Sequence, residues 1–427
     1  MALRLFVCLI LLLSAGPALA SDSAILQSLK LAQQGRWTDA RDAVAGTRDP
    51  LAAKIYHWYL FKNNDRQTEF SRISQFIRQN KDWPGMEKLR QKAEENYAGE
   101  LAPRDLAVWF DDFGPLTTSG AHMYAQSLIA TGQTGKLKAF MEDWWANKPL
   151  PRDDQKFIYQ NYGQYLTRDA HKKRFDRMLF SGAYKNARAM AQLLGDGYPQ
   201  LAEARIALAE KSPGVNGAIA KVPRSLMSDP GLLYERLRWR RENDDTDGAV
   251  DILRQARKID ANAIVNAEDW WKERHIIIRR LLEKQKYRMA YDLAADHGQT
   301  EPFEVSQAEF MAGWLALRYL TKPDVAVQHF VNLYKVVETP VSKTRGSYWA
   351  GRALSDMGHA EEAAKWYRDA AQYQTVYYGQ IAAAELKLQG ELPTIAPPQI
   401  SAEQEAKMRN DELLRAAQIF DFFSGET

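Results

Sequence analysis

The sequence has almost no cysteine. Its one thiol, Cys8, lies inside an apolar run near the start. Without that run, disulfides, cysteine metal sites and cysteine nucleophiles are all excluded. Metal-ligand spacing is missing too. Seven histidines stand at 57, 122, 171, 275, 297, 329 and 359, none in an HExxH pair or beside a second ligand. Each is read as structural or superficial, and no metal or cofactor is expected. There is no GxSxG elbow and no GxGxxG loop. Sustained period-two alternation between hairpin turns is absent, which argues against sheet. A charge excess is absent as well. The chain has 57 basic and 54 acidic side chains, interspersed throughout, where nucleic-acid binding would show a basic stripe.

Long apolar runs are confined to the start. Arg4 supplies a short positive region, residues 5–13 are apolar, and Ala18-Leu19-Ala20 is an A-x-A cleavage signal. The run is too short to span a bilayer, and Cys8 is not at the cleavage point, which argues against lipid attachment. Residues 1–20 are therefore expected to be a cleaved signal peptide. The mature chain would hold 56 basic and 54 acidic groups and no integral membrane segment. Export without cysteine fits a bacterial periplasm.

What is present is helical punctuation. In residues 346–385 the small and aromatic positions Gly351, Ala353, Gly358, Ala363, Tyr367 and Ala370 describe two antiparallel helices joined by a tight turn. Weaker copies recur. They are Gly35 before Ala40 and Val44, an Asn243-Asp244 turn before Ala249 and Leu253, a Lys284-Gln285-Lys286 turn before Ala290 and Leu293, and a Thr321-Lys322-Pro323 turn before Ala326 and Phe330. Such a hairpin cannot bury its apolar face alone and implies stacked neighbours. The fold class predicted is all-α, a superhelical solenoid of tetratricopeptide-like hairpins, ring or horseshoe, over 21–392. A Pro-rich linker follows at 393–400. Over 401–427 a helix spanning 402–423 is expected, capped by Ser401 with Gln404 in a capping box. Its apolar side chains would be Met408, Leu413, Leu414, Ile419, Phe420 and Phe423.

Chemistry-bearing constellations are few. Residues 131–137, TGQTGKL, glance at a phosphate loop but lack its first glycine and the hydroxyl after the lysine, so they read as a turn. The acid pairs Asp111-Asp112, Asp153-Asp154, Asp244-Asp245 and Glu361-Glu362 sit at turns or helix starts, where acids favour the helix dipole. Aromatic doublets stand out: Trp144-Trp145, Trp270-Trp271, Tyr348-Trp349, Trp366-Tyr367 and Tyr377-Tyr378. One member of a helical doublet can enter the core while the other faces sideways, suited to stacking on sugar rings, although both can equally be inter-repeat packing. Lys272, Arg274, Arg345 and Arg352 lie beside them and could hold carboxylate-bearing ligands such as cell-wall peptide stems. The candidate contacts for glycan or peptide are Trp270, Trp271, Arg274, Tyr348, Trp349, Arg352, Tyr377 and Tyr378.

The segments EDWWKERHIIIRRLLEKQKYRMAYDLAADHG (268–298), AEFMAGWLALRYLTKPDVAVQHFVNLY (308–334), SYWAGRALSDMGHAEEAAKWYRDAA (347–371) and TVYYGQIAAAEL (375–386), in that order, resemble the helical superhelix of the soluble lytic murein transglycosylases. The resemblance implies a periplasmic scaffold, a linker domain to which 401–427 is similar, and then a lysozyme-like catalytic domain acting on peptidoglycan. Members cleave the β-1,4 bond between N-acetylmuramic acid and N-acetylglucosamine to 1,6-anhydro products. The family's catalytic Glu-Ser and Gly-Leu-Met-Gln motifs do not occur here. No catalytic residue can be carried over, the catalytic domain is expected to be missing, and the chain alone is expected to be inactive. Peptidoglycan is the expected partner, together with a separate catalytic domain or another periplasmic protein. A periplasmic protein-binding module is the alternative.

Overall fold

A computed structural model describes residues 17–64, 69–259, 264, 267–388 and 399–425. The expected apolar leader with Cys8, and Pro393-Thr394-Ile395-Ala396-Pro397-Pro398 of the expected linker, lie outside the described residues. Among the described residues all regular structure is helical, with twenty-four α-helices, two short 3-10 turns and no strand. The helix Pro17–Gln33 already runs through Ala18-Leu19-Ala20.

Seven helical hairpins share one construction. Their turns place a residue in the left-handed region: Gly35, Gly132, Gly182, Asp244, Gln285, Thr321 and Gly358. Five positions later comes a fully buried residue: Ala40, Leu137, Ala187, Ala249, Ala290, Ala326 and Ala363. The left-handed residue reverses the chain, and the small residue lets the second helix close on the first. In all seven, the amide after the left-handed residue donates to a carbonyl in the last turn of the first helix, and in six the acceptor is the fifth residue back, for example His359 to Leu354 at 3.0 Å. The hairpin at Thr321 is wider by one residue, with Lys322 donating to Ala316. The fivefold reading of turn, alanine and apolar residue is thus the actual packing rule, and a related turn stands at 131–133 between Thr118–Ala130 and Thr134–Asn147, with Leu137 in place of the alanine.

The chain divides into two compact units. The first comprises residues 1–144, 149–165 and 397–427. Within it the C-terminal segment lies against the N-terminal helices. Ser401 and Gln404 form the expected capping box. The single helix expected over 402–423 is instead two, Ala402–Arg409 and Glu412–Gly425. The break follows from Asp411, whose carboxylate accepts from the amides of Leu413 and Leu414 at 2.9 and 3.1 Å and so starts a new helix. Ala416, Ile419 and Phe423 are buried, whereas Met408 and Leu414 remain exposed. Phe420 meets Trp58 edge-on at 5.1 Å, and Glu412 accepts from Lys54 and from the Trp83 indole at 3.0 Å. Arg415 bridges Asp22 and Asp49.

The second unit comprises residues 145–148 and 166–396. Its hairpins stack in sequence order, and the helices Pro302–Arg318, Pro340–Asp356 and Tyr377–Glu385 pack side by side as one layer. That layer carries five of the eight candidate contacts.

Candidate functional site

Three of the four acid pairs lie at a turn or helix start as expected, whereas Asp111-Asp112 stands in the last turn of the helix Pro103–Phe113, the end the helix dipole makes unfavourable for acids. Asp153-Asp154 and Glu361-Glu362 occupy first turns. Asp245 caps the amide of Gly248 at 2.9 Å, and Asp111 accepts from Tyr124 and pairs with Lys136. No group of metal-binding side chains assembles among the described residues.

Three of the candidate contacts belong to the core. Trp270 and Trp271 are each 5% exposed on the helix Ala267–Glu283. Trp270 packs on Tyr234, and Trp271 stacks on His275 with rings 6° from parallel. Neither leaves a ring face for a ligand. Arg274 is buried and donates to the carbonyls of Leu293 and Asp296 at 3.0 and 2.6 Å. Those carbonyls end the helix Tyr287–Ala295 without helical partners, so the guanidinium caps the C-terminus of that helix. Burial brings Arg274 down to about 10. The doublet geometry explains this outcome. On a helix whose neighbours cover it on several sides, both members of a doublet can find packing partners.

The other five come together on the layer of Pro340–Asp356 and Tyr377–Glu385. Tyr348 lies 5.6 Å from Tyr378, and Tyr378 lies 5.2 Å from Tyr377. Tyr377 is 68% exposed, and Tyr348 and Tyr378 are partly so. Arg352 pairs with Glu385 at 3.1 Å, and the Tyr348 hydroxyl points to the same carboxylate at 3.5 Å. Trp349 turns the other way, into Phe310 and Phe330 at 6.0 and 5.9 Å. The result is a strip of three phenol rings beside a guanidinium–carboxylate pair, partly wet. Rings of this kind stack on sugar faces, and the Arg352–Glu385 pair offers donors and acceptors to hydroxyls and amides. No general acid is held in a desolvated pocket on this strip.

Sequence spacing gave no sign of a second cluster, built on Glu309. Its carboxylate bonds the His329 ring, accepts from the Asn332 amide at 3.2 Å and faces His297 at 3.7 Å, and Tyr291 bonds the far side of the His329 ring at 3.2 Å. Burial raises the Glu309 carboxyl, but the histidine hydrogen bonds, the His329 charge and Asn332 outweigh it and hold the group at about 2. Glu309 and His329 stand on the two helices of one hairpin and His297 just before it, at separations matching no ligand motif.

No protein-family model and no curated protein matches the sequence. Solved structures do match the fold. An inactive mutant of lytic transglycosylase Slt from Pseudomonas aeruginosa superposes with a TM-score of 0.62 at 19% identity, over 94% of this chain and 63% of its own. The 70 kDa soluble lytic transglycosylase from Escherichia coli gives 0.54 at 16% identity, over 94% and 63%. A complex of the 70 kDa soluble lytic transglycosylase with bulgecin A gives 0.54 at 16%, over 94% and 62%. The present chain thus spans a little under two thirds of the length of these proteins, and its all-helical fold is similar to theirs across nearly all of its own length.

Proposed function

We propose that this chain is the helical scaffold of a soluble lytic transglycosylase and that it binds and positions peptidoglycan in the periplasm. The observation that carries the reading is the fold likeness to lytic transglycosylases over 94% of the chain. It includes the segments between 268 and 386 whose wording resembles that family. Supporting it, the strip of Tyr348, Tyr377 and Tyr378 with Arg352 offers stacking and polar groups to a glycan strand. The cleavage itself is assigned to residues outside this sequence, which holds neither a Glu-Ser dipeptide nor Gly-Leu-Met-Gln. In the proposed parent a glutamic acid protonates the leaving oxygen and then takes the proton of the muramoyl 6-hydroxyl. That hydroxyl attacks its own anomeric carbon, so an intramolecular nucleophile replaces water.

The reading includes export with cleavage after Ala20. Ser21 and Asp22, directly after the proposed cut, contact Asp49 and Arg415, so the retained chain keeps these ties. The test is retention of the purified chain by insoluble murein sacculi, with analysis of the supernatant for 1,6-anhydromuropeptides. Retention without anhydro product is expected. Absence of retention removes the peptidoglycan claim, and anhydro product from this chain alone removes the assignment of catalysis elsewhere. A protein-binding module is the second reading, drawing on Phe303, Val341 and Tyr377. These exposed apolar residues stand at the starts of three successive helices of one layer.

A further inference from the structure

Partly buried arginines of the second unit are mostly consumed. Arg174 and Arg274 cap helix carbonyls, and Arg352 pairs with Glu385. Arg345 is different. It lies on Pro340–Asp356, one turn before Trp349 and seven residues before Arg352. Its guanidinium rests 4.7 Å from the centroid of Phe310. Its Nε is buried with no hydrogen-bond partner, and no carboxylate or carbonyl accepts from the group among the described residues. Burial lowers its pKa, as expected of a cation losing water without gaining an anion.

A second unmet donor stands beside it. The indole Nε1 of Trp349 is also buried without a partner. Residues four apart on a helix are neighbours, so both donors belong to one patch. Arg318 faces the same indole at 5.8 Å, is exposed, and joins no ion pair among the described residues. On the other side the patch runs into the tyrosine strip, since Tyr378 is near enough to act electrostatically on Arg345.

A guanidinium stripped of part of its hydration and left unpaired costs free energy that an incoming anion would recover. The fork geometry of arginine matches a carboxylate bidentately, and such bonds are the strong ones. One half-buried guanidinium with one exposed cation beside it suits a small anion, whereas a polyphosphate backbone calls for a longer run of cations.

We propose that Arg345, seated on Phe310 beside Trp349 and Arg318, is a carboxylate subsite that takes the peptide-stem carboxylate of muramoyl peptides while Tyr348, Tyr377 and Tyr378 take the adjoining sugar. This rests on the reading of the chain as a peptidoglycan scaffold.

The test is a cycle between protein and ligand, run on the full chain by titration calorimetry. The probes are muramyl dipeptide with its free carboxylate and the same molecule with that carboxylate converted to carboxamide. The variants are Arg345→Gln and Arg345→Lys, each checked for an unchanged circular dichroism spectrum. For the wild type, the carboxamide is expected to bind about tenfold more weakly than the acid, the loss of one charge-assisted pair. Arg345→Gln is expected to bind the acid as weakly as the carboxamide, with no discrimination between them, and Arg345→Lys is expected to keep part of the preference. A merely structural role for Arg345 would lower both affinities and leave their ratio intact, and that result overturns the subsite. Wild type retained by sacculi yet indifferent to the carboxylate overturns the subsite alone. Wild type not retained by sacculi overturns the scaffold reading and with it this choice of ligand.

Discussion

Gly351 lies directly beneath the ring of Tyr367, and a Cβ at Gly351 would stand 2.7 Å from the Tyr367 Cε1. The two helices of this hairpin touch through that contact, and Gly358 turns the chain between them at φ 79°. Two effects oppose each other at Gly351. Alanine gains about 1 kcal/mol of helix propensity over glycine, while overpacking costs about 1–3 kcal/mol. Gly351→Ala is expected to destabilise the chain by about 1 kcal/mol in urea unfolding. In a Tyr367→Ala background the same change is expected to stabilise, because only the propensity term survives. Equal signs in both backgrounds would show that the contact does not govern the approach.

The turn residues make a second prediction. Gln285 and Thr321 hold φ of 56° and 54°, a region that costs an L-residue about 1–2 kcal/mol. Glycine removes that cost and returns about 0.5–1 kcal/mol as chain entropy. Thr321→Gly and Gln285→Gly are each expected to stabilise by up to about 1 kcal/mol, and Gly358→Ala to destabilise by about as much. Thermal midpoints of the three variants check the signs.

Acid stability depends on Glu309. Its carboxyl is held at about 2, below its ordinary value of 4.5, so folding favours its charged form. The contribution is therefore complete above the unfolded value and is lost as pH falls from about 4.5 towards 2. It amounts to roughly 3 kcal/mol at most. Glu309→Gln is expected to lower stability at pH 6 and to flatten the pH dependence between 4.5 and 2. A variant with the wild-type slope across that window would place the acid limb on other carboxylates.

The C-terminal helix gives a contrast of magnitudes. Arg415 is about a third exposed in its bridges to Asp22 and Asp49, where such pairs bring about 0–1 kcal/mol each. Phe420 lies among the rings of Trp58 and Tyr59, where lost packing costs more, about 2 kcal/mol. Phe420→Ala is therefore expected to raise hydrogen exchange across Glu412–Gly425 more than Arg415→Ala does. The reverse order would make the ion pairs the main tie.

Much of the fold was legible because its rule is local. A turn followed within a few residues by alanine is a local signal, and the turns at 243–244, 284–286 and 321–323 could be recognised by the alanine and the apolar residue after them, while which turn residue is left-handed came only from the backbone. The candidate site was legible only in part. Trp270, Trp271 and Arg274 combine aromatic rings with an arginine just as Tyr348, Tyr377 and Arg352 do, and only the neighbouring helices decide which set is covered. The cluster of His297, Glu309 and His329, and the missing partner of Arg345, come from helices meeting in space and have no local signature. The break at Asn410-Asp411 was readable in principle, since aspartate two residues before Leu413 is a cap signal.

The contact between Lys54 and Glu412 joins residues 358 positions apart in sequence. It sets an order of events for a chain made from its N-terminus. Unit two draws on residues 145–148 and 166–396, all of which emerge before the segment after 399. Unit one has its opening helices first and its closing ones last. Until Glu412–Gly425 arrives, the rings of Trp58 and Tyr59 wait uncovered. The opening helices of unit one are thus completed only after unit two has emerged, and until then they depend on whatever shields nascent apolar surface.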